Sequence, residues 1–235
     1  MSSWRRQKLR TLSSRGGGVG LWPFRKPSLG RGLFKPLRTE RCILRLGGIR
    51  DTIAYCEEAG RYQIAQWMLN FPSPFPVELG RQRFRASWQN ALSDRAISLV
   101  AIERESGQLV GGVALNNIQV LPEPELAYWV RQSRWREGFA REICTAMIDF
   151  AFNVRSEPRL RASVLAGNES SVGLLQRLGF QPFGVETTFA EPYAPTVGMA
   201  LEDLVSHRRA TGMPLVAIQL HCWHLDRETW FQLKR

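Results

Sequence analysis

The stretch Glu125-Leu126-Ala127-Tyr128-Trp129-Val130, followed shortly by Trp135-Arg136-Glu137-Gly138-Phe139-Ala140-Arg141-Glu142, decides the fold. The first six residues read as a strand. The last eight read as a glycine-bearing turn that opens a long amphipathic helix, with Ala140, Ile143, Met147, Phe150 and Ala151 recurring on one face. A turn of this kind is a ready anion site. The first N–H groups of a helix have no intrahelical partner, and the macrodipole favours negative charge beside them. The phosphates of a bound cofactor are the expected occupants.

Upstream, Thr39 to Arg45 alternates like a half-buried strand, and Asp51 is placed to cap a helix through Ala59 that continues or restarts towards Gln66-Trp67-Met68. Phe71-Pro72-Ser73-Pro74-Phe75-Pro76 must be a loop, because each proline removes a donor and restricts its neighbour. Val77 to Leu92 carries Leu79, Phe84, Trp88 and Leu92 as a helical stripe. Trp67, Phe71, Phe75 and Trp88 read first as core or loop packing and second as the lining of a substrate pocket. Ala96–Ile102 and Leu109–Leu115 flank Ser106-Gly107, a hairpin signal, and Gly111-Gly112 inside the second strand points to a bulge or a close backbone approach.

Downstream come a strand over Leu160–Leu165 and a short helix from Glu169 to Leu178 stopped by Gly179. Two last strands follow, over Phe180–Thr187 and Pro214–Leu225. Phe189 to Met213 has no readable pattern beyond a turn or two of helix around Leu201–Arg209. The order strand, two helices, three strands, helix, strand, helix, two strands makes one α+β domain of about seven strands rather than a doubly wound sheet.

The net charge of +11 suggests a nucleic-acid partner until it is mapped. Ten Lys or Arg and no acid lie between Met1 and Thr39; removing these ten from the chain's 32 leaves 22 basic against 21 acidic residues. The division expected is therefore a basic arm over 1–38 and a nearly neutral domain over 39–235. The arm combines Arg, Ser and Gly with Pro23, Pro27 and Pro36, and it buries too little to order itself. Three readings stand side by side: a tail, an organellar targeting segment, or residues ahead of the natural start. Cys42, Cys56, Cys144 and Cys222 form no CxxC pair, which fits a reduced, cytoplasmic setting without a zinc site or disulfide framework. No apolar run approaches the ~18–20 residues of a membrane-spanning helix. His221 and His224 fall on opposite faces of one strand, so they share no metal.

From Thr39 to Trp230 the chain resembles the GCN5-related N-acetyltransferases (GNAT), in the RimJ/RimL-like branch of ribosomal-protein alanine acetyltransferases. Four landmarks carry the resemblance in order and spacing: Thr39-Glu40-Arg41 with Leu44-Arg45; Glu125–Val130 with Trp135–Glu142; Asn168 with Ser171; and Leu178-Gly179-Phe180. The chain departs from the family at two places. Arg136 stands where the Trp-Gly-x-Gly form of the phosphate loop has its first glycine. Leu175 stands where many relatives have a tyrosine that protonates the leaving thiolate.

The resemblance implies the GNAT fold with its twisted, mostly antiparallel sheet, acetyl-CoA as co-substrate and an amine as acceptor, which a protein N-terminus or a small molecule could supply. It implies that Arg136, Glu137, Gly138, Phe139, Ala140 and Arg141 hold the pyrophosphate through their backbone. The pantetheine arm would pair with the backbone of Tyr128, Trp129 and Val130. Asn168 would bond the pantetheine, although it reads equally as the cap of the next helix. Ser171 would lie near the cofactor and is the candidate acid; Glu125, at the strand's start, is the candidate base, acting directly or through water. Two rivals are carried: a non-catalytic acyl-CoA-binding or regulatory module, and a ribosome- or RNA-associated protein acting through its basic arm.

Overall fold

The computed structural model describes residues 35–118, 123–190 and 216–235. The strands are β1 (Leu37–Arg38), β2 (Cys42–Leu46), β3 (Ile97–Glu103), β4 (Leu109–Asn116), β5 (Glu125–Val130), β6 (Arg159–Leu165), β7 (Gln181–Ala190) and β8 (Val216–Asp226). The helices are α1 (Thr52–Ala59), α2 (Tyr62–Ala65), α3 (Val77–Leu92), α4 (Phe139–Asp149), α5 (Glu169–Arg177) and α6 (Arg227–Leu233). The strands form one sheet in the order β1-β2-β3-β4-β5-β6-β8-β7. Every neighbouring pair is antiparallel except β5 and β6.

The α+β expectation holds, with eight strands where about seven were expected. The extra one is β1, whose two residues lie on the arm side of the expected boundary and pair with Ile43 and Leu44. Thr39 to Arg41 is a turn rather than the start of a strand, and β2 begins at Cys42. Helix α4, expected to reach Ala151, runs on over Phe150–Val154 as a π turn, and one further element was not anticipated. Helix α6 follows β8 and buries Trp230, whose indole N–H donates to Asp149 Oδ1 at 2.9 Å. Leu201–Arg209, His207 and most of the arm lie outside the described residues.

Two cores sandwich the sheet. On one face, Phe139, Ile143, Met147 and Ile148 of α4 pack with Leu160 of β6 and Leu175 of α5, all essentially without solvent contact. Fully burying side chains of this size contributes ~1.5–3 kcal/mol each, which fixes α4 against the strands. On the other face Tyr55 of α1 is ringed by Phe71, Phe75, Phe84 and Trp129 at centroid separations of 5.0 to 6.1 Å. Phe71 and Phe75 are therefore core residues, and Trp67 lines a cleft.

The glycine pair in β4 makes room for this second core. A Cβ on Gly111 would lie 2.2 Å from Trp129 O, and one on Gly112 would lie 2.8 Å from Trp129 Nε1. Both readings of the pair hold, since the register against β3 also slips beside it, at Ala101/Ile102.

One junction positions the site. β4 and β5 are paired from Asn116↔Glu125 to Gly111↔Val130, and β6 and β8 over seven consecutive positions. Between β5 and β6 the single paired position is Glu125↔Arg161. From there the two central strands diverge and open a cleft of about 1400 Å³.

Candidate active site

The cleft has three stations, and the α4 end is the first. The chain leaves β5, makes a short 3-10 turn over Gln132–Arg134, and then reverses through two left-handed residues, Arg136 (φ +66) and Gly138 (φ +85). Glycine takes this conformation at no steric cost; arginine does not. The reversal points the N-terminus of α4 into the cleft. The first intrahelical bond runs from Glu142 N to Gly138 O at 3.1 Å, and no side chain caps the helix, so the N–H groups of Phe139, Ala140 and Arg141 are open to a ligand. Arg134, Arg136, Arg141 and Arg177 also line the cleft. Backbone donors, a helix dipole and guanidinium groups together suit a multiply charged phosphate.

A brace holds this loop from behind. Glu142 Oε1 accepts from Thr39 Oγ1 at 2.5 Å and from Arg41 N at 2.7 Å, and Oε2 accepts from Arg41 Nε at 2.7 Å. Arg41 then donates to Glu137 O at 3.0 Å and lies 4.0 Å over the Phe139 ring. Burial opposes the Glu142 charge, but the bonds from Thr39 and Arg41 prevail and hold its carboxyl below the usual range. The turn that stands in place of the expected start of β2 is thus the piece that grips α4.

The middle station is the splayed strand. Arg131 N donates to Val110 O at 2.9 Å, which turns the backbone of Trp129 towards β4 and that of Tyr128 and Val130 away from it, into the cleft. Val130 O accepts from the Trp135 indole at 2.7 Å. The N–H and C=O of Tyr128 and the N–H of Val130 are left facing a gap where a neighbouring strand would be. Across the gap Asn168 Oδ1 accepts from Ser171 N at 3.2 Å, capping α5, and both residues line the cleft. The Tyr128 phenol lies 2.6 Å from Ser171 Oγ. Burial raises the pKa of that phenol and keeps it neutral.

The third station is the apex, where β5 and β6 separate. Ser163 donates to Glu125 Oε1 at 2.6 Å. Arg161 Nε reaches Ser163 Oγ at 3.4 Å, while its Nη2 bonds the Glu186 carboxylate and lies 3.3 Å from Cys222 Sγ. The bond from Arg161 holds the Glu186 carboxyl below its ordinary value, and burial pushes the Cys222 thiol up. Trp67, Met68 and Leu69 add apolar surface to the lining of the same cleft.

Of the residues singled out from the sequence, Glu125, Tyr128, Val130, Arg136, Gly138, Phe139, Ala140, Arg141, Asn168 and Ser171 line one cleft. Trp129 touches it too, but its backbone faces Gly112 and its indole belongs to the second core. Glu137 lies outside the lining, with its carboxylate bonded to Arg134 at 3.1 Å. Sequence reasoning missed Arg161, Ser163 and Glu186. The first two were findable as the polar face of a strand whose other face, Leu160, Ala162 and Val164, is apolar. Glu186 carries no such signal. Among the described residues no cluster of His, Cys, Asp or Glu could hold a metal ion, and no helix is long and apolar enough to cross a membrane.

A family model for the acetyltransferase (GNAT) domain matches residues 41–181. A Bacillus subtilis protein named uncharacterized N-acetyltransferase YoaA is 29% identical over 159 residues, covering 65% of this chain and 86% of its own. The fold is shared with a ribosomal-protein-S5-alanine acetyltransferase from Vibrio fischeri, at a TM-score of 0.65 and 17% identity over 83% of this chain and 98% of the other. It is also shared with RimL, a ribosomal L7/L12 α-N-protein acetyltransferase solved with coenzyme A, at a TM-score of 0.63 and 12% identity over 82% and 98%.

Proposed function

Because the chain belongs to the GNAT acetyltransferase family, we propose that its cleft moves an acetyl group from acetyl-CoA to a primary amine along the line from α4 to the β5–β6 apex. The observation that carries this reading is the single paired position between β5 and β6. It leaves an edge of unpartnered backbone between a helix N-terminus suited to phosphates and a carboxylate suited to an amine.

Acetyl-CoA, when bound, supplies an acyl group activated as a thioester. The remaining work falls to the chain. The open N–H groups of Phe139, Ala140 and Arg141 take the pyrophosphate, with Arg136 beside them. Tyr128 and Val130 offer the amide-rich arm the bonds of an added strand, and one of their N–H groups is the donor available to the oxyanion. Glu125 removes a proton from the incoming ammonium, directly or through water, so that the amine can attack. Ser163 fixes one carboxylate oxygen and leaves the other free for this step. Ser171 donates towards the leaving sulfur.

The acceptor proposed is the N-terminal amine of a protein. The named substrates of the two ribosomal-protein acetyltransferases that share the fold support this, as does a cleft whose lining includes Trp67 and the exposed Leu69. The basic arm is an accessory contact for ribosome or RNA, and four free cysteines suit a reducing cytoplasm.

The test is thiol release from acetyl-CoA with a panel of peptides differing at the first residue, set against small amines. Turnover with a subset of peptides is expected. Tight acetyl-CoA binding without transfer to any amine would replace the enzyme by a binding module. Deletion of residues 1–34, which spares β1, is expected to leave turnover of free peptides unchanged and to weaken RNA or ribosome binding.

A further inference from the structure

The resemblance removes a tyrosine from α5, since Leu175 fills that position and is wholly buried. The structure brings a different phenol to the same helix face. Ser171 and Leu175 are one turn apart, and Tyr128, arriving from β5, places its hydroxyl 2.6 Å from Ser171 Oγ. We infer that Tyr128 is a positioning residue that donates to Ser171 Oγ and thereby aims the serine proton at the leaving sulfur; this rests on the acetyltransferase reading above.

The argument turns on which oxygen donates. If the serine donated, the single phenol proton would have only Ser171 O, 3.5 Å away, as a second acceptor. If the phenol donates, it makes a bond of ideal length and the serine hydroxyl keeps its own proton for the cleft. A phenol is also a far stronger acid than an alkanol, which favours the second arrangement. Burial keeps Tyr128 protonated, so it does not itself deliver a proton to a thiolate, whose conjugate acid is weaker-held than the phenol's. Its role is to fix one hydroxyl rotor. The backbone of the same residue faces the cleft, so cofactor contact and serine orientation come from one position of β5.

The balance is simple. The C–S bond breaks as the C–N bond of the amide forms, and the nitrogen's proton passes to Glu125 or to water. The sulfur leaves as a thiolate to which the Ser171 hydroxyl donates a hydrogen bond while keeping its proton; the thiolate takes its own proton from solvent. No other reactant is needed.

The test reads the bound thiol directly. CoA is titrated on the protein by the ultraviolet absorbance of its thiolate, in wild type, Tyr128→Phe, Ser171→Ala and the double variant. A hydroxyl aimed at sulfur stabilises the thiolate, so the wild-type complex should titrate below free CoA. Tyr128→Phe should raise that midpoint by about one pH unit and lower kcat about tenfold, the size of one aligned hydrogen bond. The KM for acetyl-CoA should not move, because the backbone donors are untouched. Ser171→Ala should do at least as much, and adding Tyr128→Phe to it should change nothing further. A Tyr128→Phe complex that titrates like wild type, or a double variant whose effects add, overturns the inference. A wild-type protein that binds no CoA overturns the acetyltransferase reading itself.

Discussion

At the α4 end of the cleft, the open groups are backbone N–H groups of one continuous segment, Phe139 to Arg141. At the apex they are side chains drawn from β5 (Glu125), β6 (Arg161 and Ser163) and β7 (Glu186). The first kind of site depends on backbone shape and tolerates a change of side chain, which is how an arginine can occupy a glycine-like conformation at 136. The second depends on side-chain identity and tolerates none. Substitutions at the two ends should therefore fail in different ways.

The largest effect is expected from Gly138→Pro. The native φ of +85 lies far from the value near −65 that proline imposes, and the ring also removes an N–H. A cost of ~3 kcal/mol or more corresponds to a loss of over about a hundredfold in acetyl-CoA affinity, measurable by calorimetry. Undiminished affinity would refute the phosphate-loop assignment. At the apex the matching change is Glu125→Gln, which keeps the acceptor for Ser163 and removes the base. There kcat should fall about a hundredfold with acetyl-CoA affinity intact. If affinity falls instead and kcat survives, the division of labour between the two ends is wrong.

The same contrast explains what was legible in the sequence. The α4 end could be read because its determinants are local: a strand, a turn bearing Gly138, and an amphipathic helix, all between Glu125 and Ala151. The GNAT fold and part of the cleft lining followed from the resemblance that this segment carries together with Thr39-Glu40-Arg41, Asn168 and Leu178-Gly179-Phe180. The apex could not be read because its partners are 25 to 61 residues apart and meet only through sheet order. Glu125 was visible as a carboxylate but not its bond to Ser163. Thr39-Glu40-Arg41 and Glu142 were each noticed, yet nothing local says that they grip one another across 101 residues. Trp129 misled for a related reason. Its place in the motif suggests the cofactor, while the phase of its strand turns its backbone to Gly112.

That brace is the next point of attack, because it makes the α4 end a tertiary construction after all. Glu142 carries a carboxyl held below its ordinary value of 4.5 in the folded protein. A group depressed in this way contributes stability that is complete above its unfolded pKa and is lost as pH falls through the folded value. Glu142→Gln should therefore lower stability to urea by ~1–2 kcal/mol at pH 7. The half-exposed Arg41 is screened, which favours the lower figure. The gap between the two proteins should close as the pH is taken well below 4.5, where the wild-type carboxyl is itself protonated. A gap that persists in acid would mean that packing, not charge, holds Thr39 and Arg41 on α4. Acetyl-CoA affinity should weaken in step with the brace if the loop it supports is the binding surface proposed above.

The smallest effect, and the one that bears most directly on the contrast, is expected from Arg136→Gly. A non-glycine residue at φ +66 carries roughly 1–2 kcal/mol of local strain. Glycine removes it but loses more freedom on folding, by about 0.5–1 kcal/mol. The net expectation is a gain of about 0.5 kcal/mol in stability, since the exposed arginine forms no bond that must be given up. Affinity should move the other way if the guanidinium reaches a phosphate, and the loss should shrink as salt is raised. If instead affinity is unchanged at low salt, then backbone geometry alone makes the anion site and Arg136 is a tolerated passenger. Either result measures how far a site built from N–H groups is independent of the side chains that carry them, a freedom that Glu125 and Arg161 do not have.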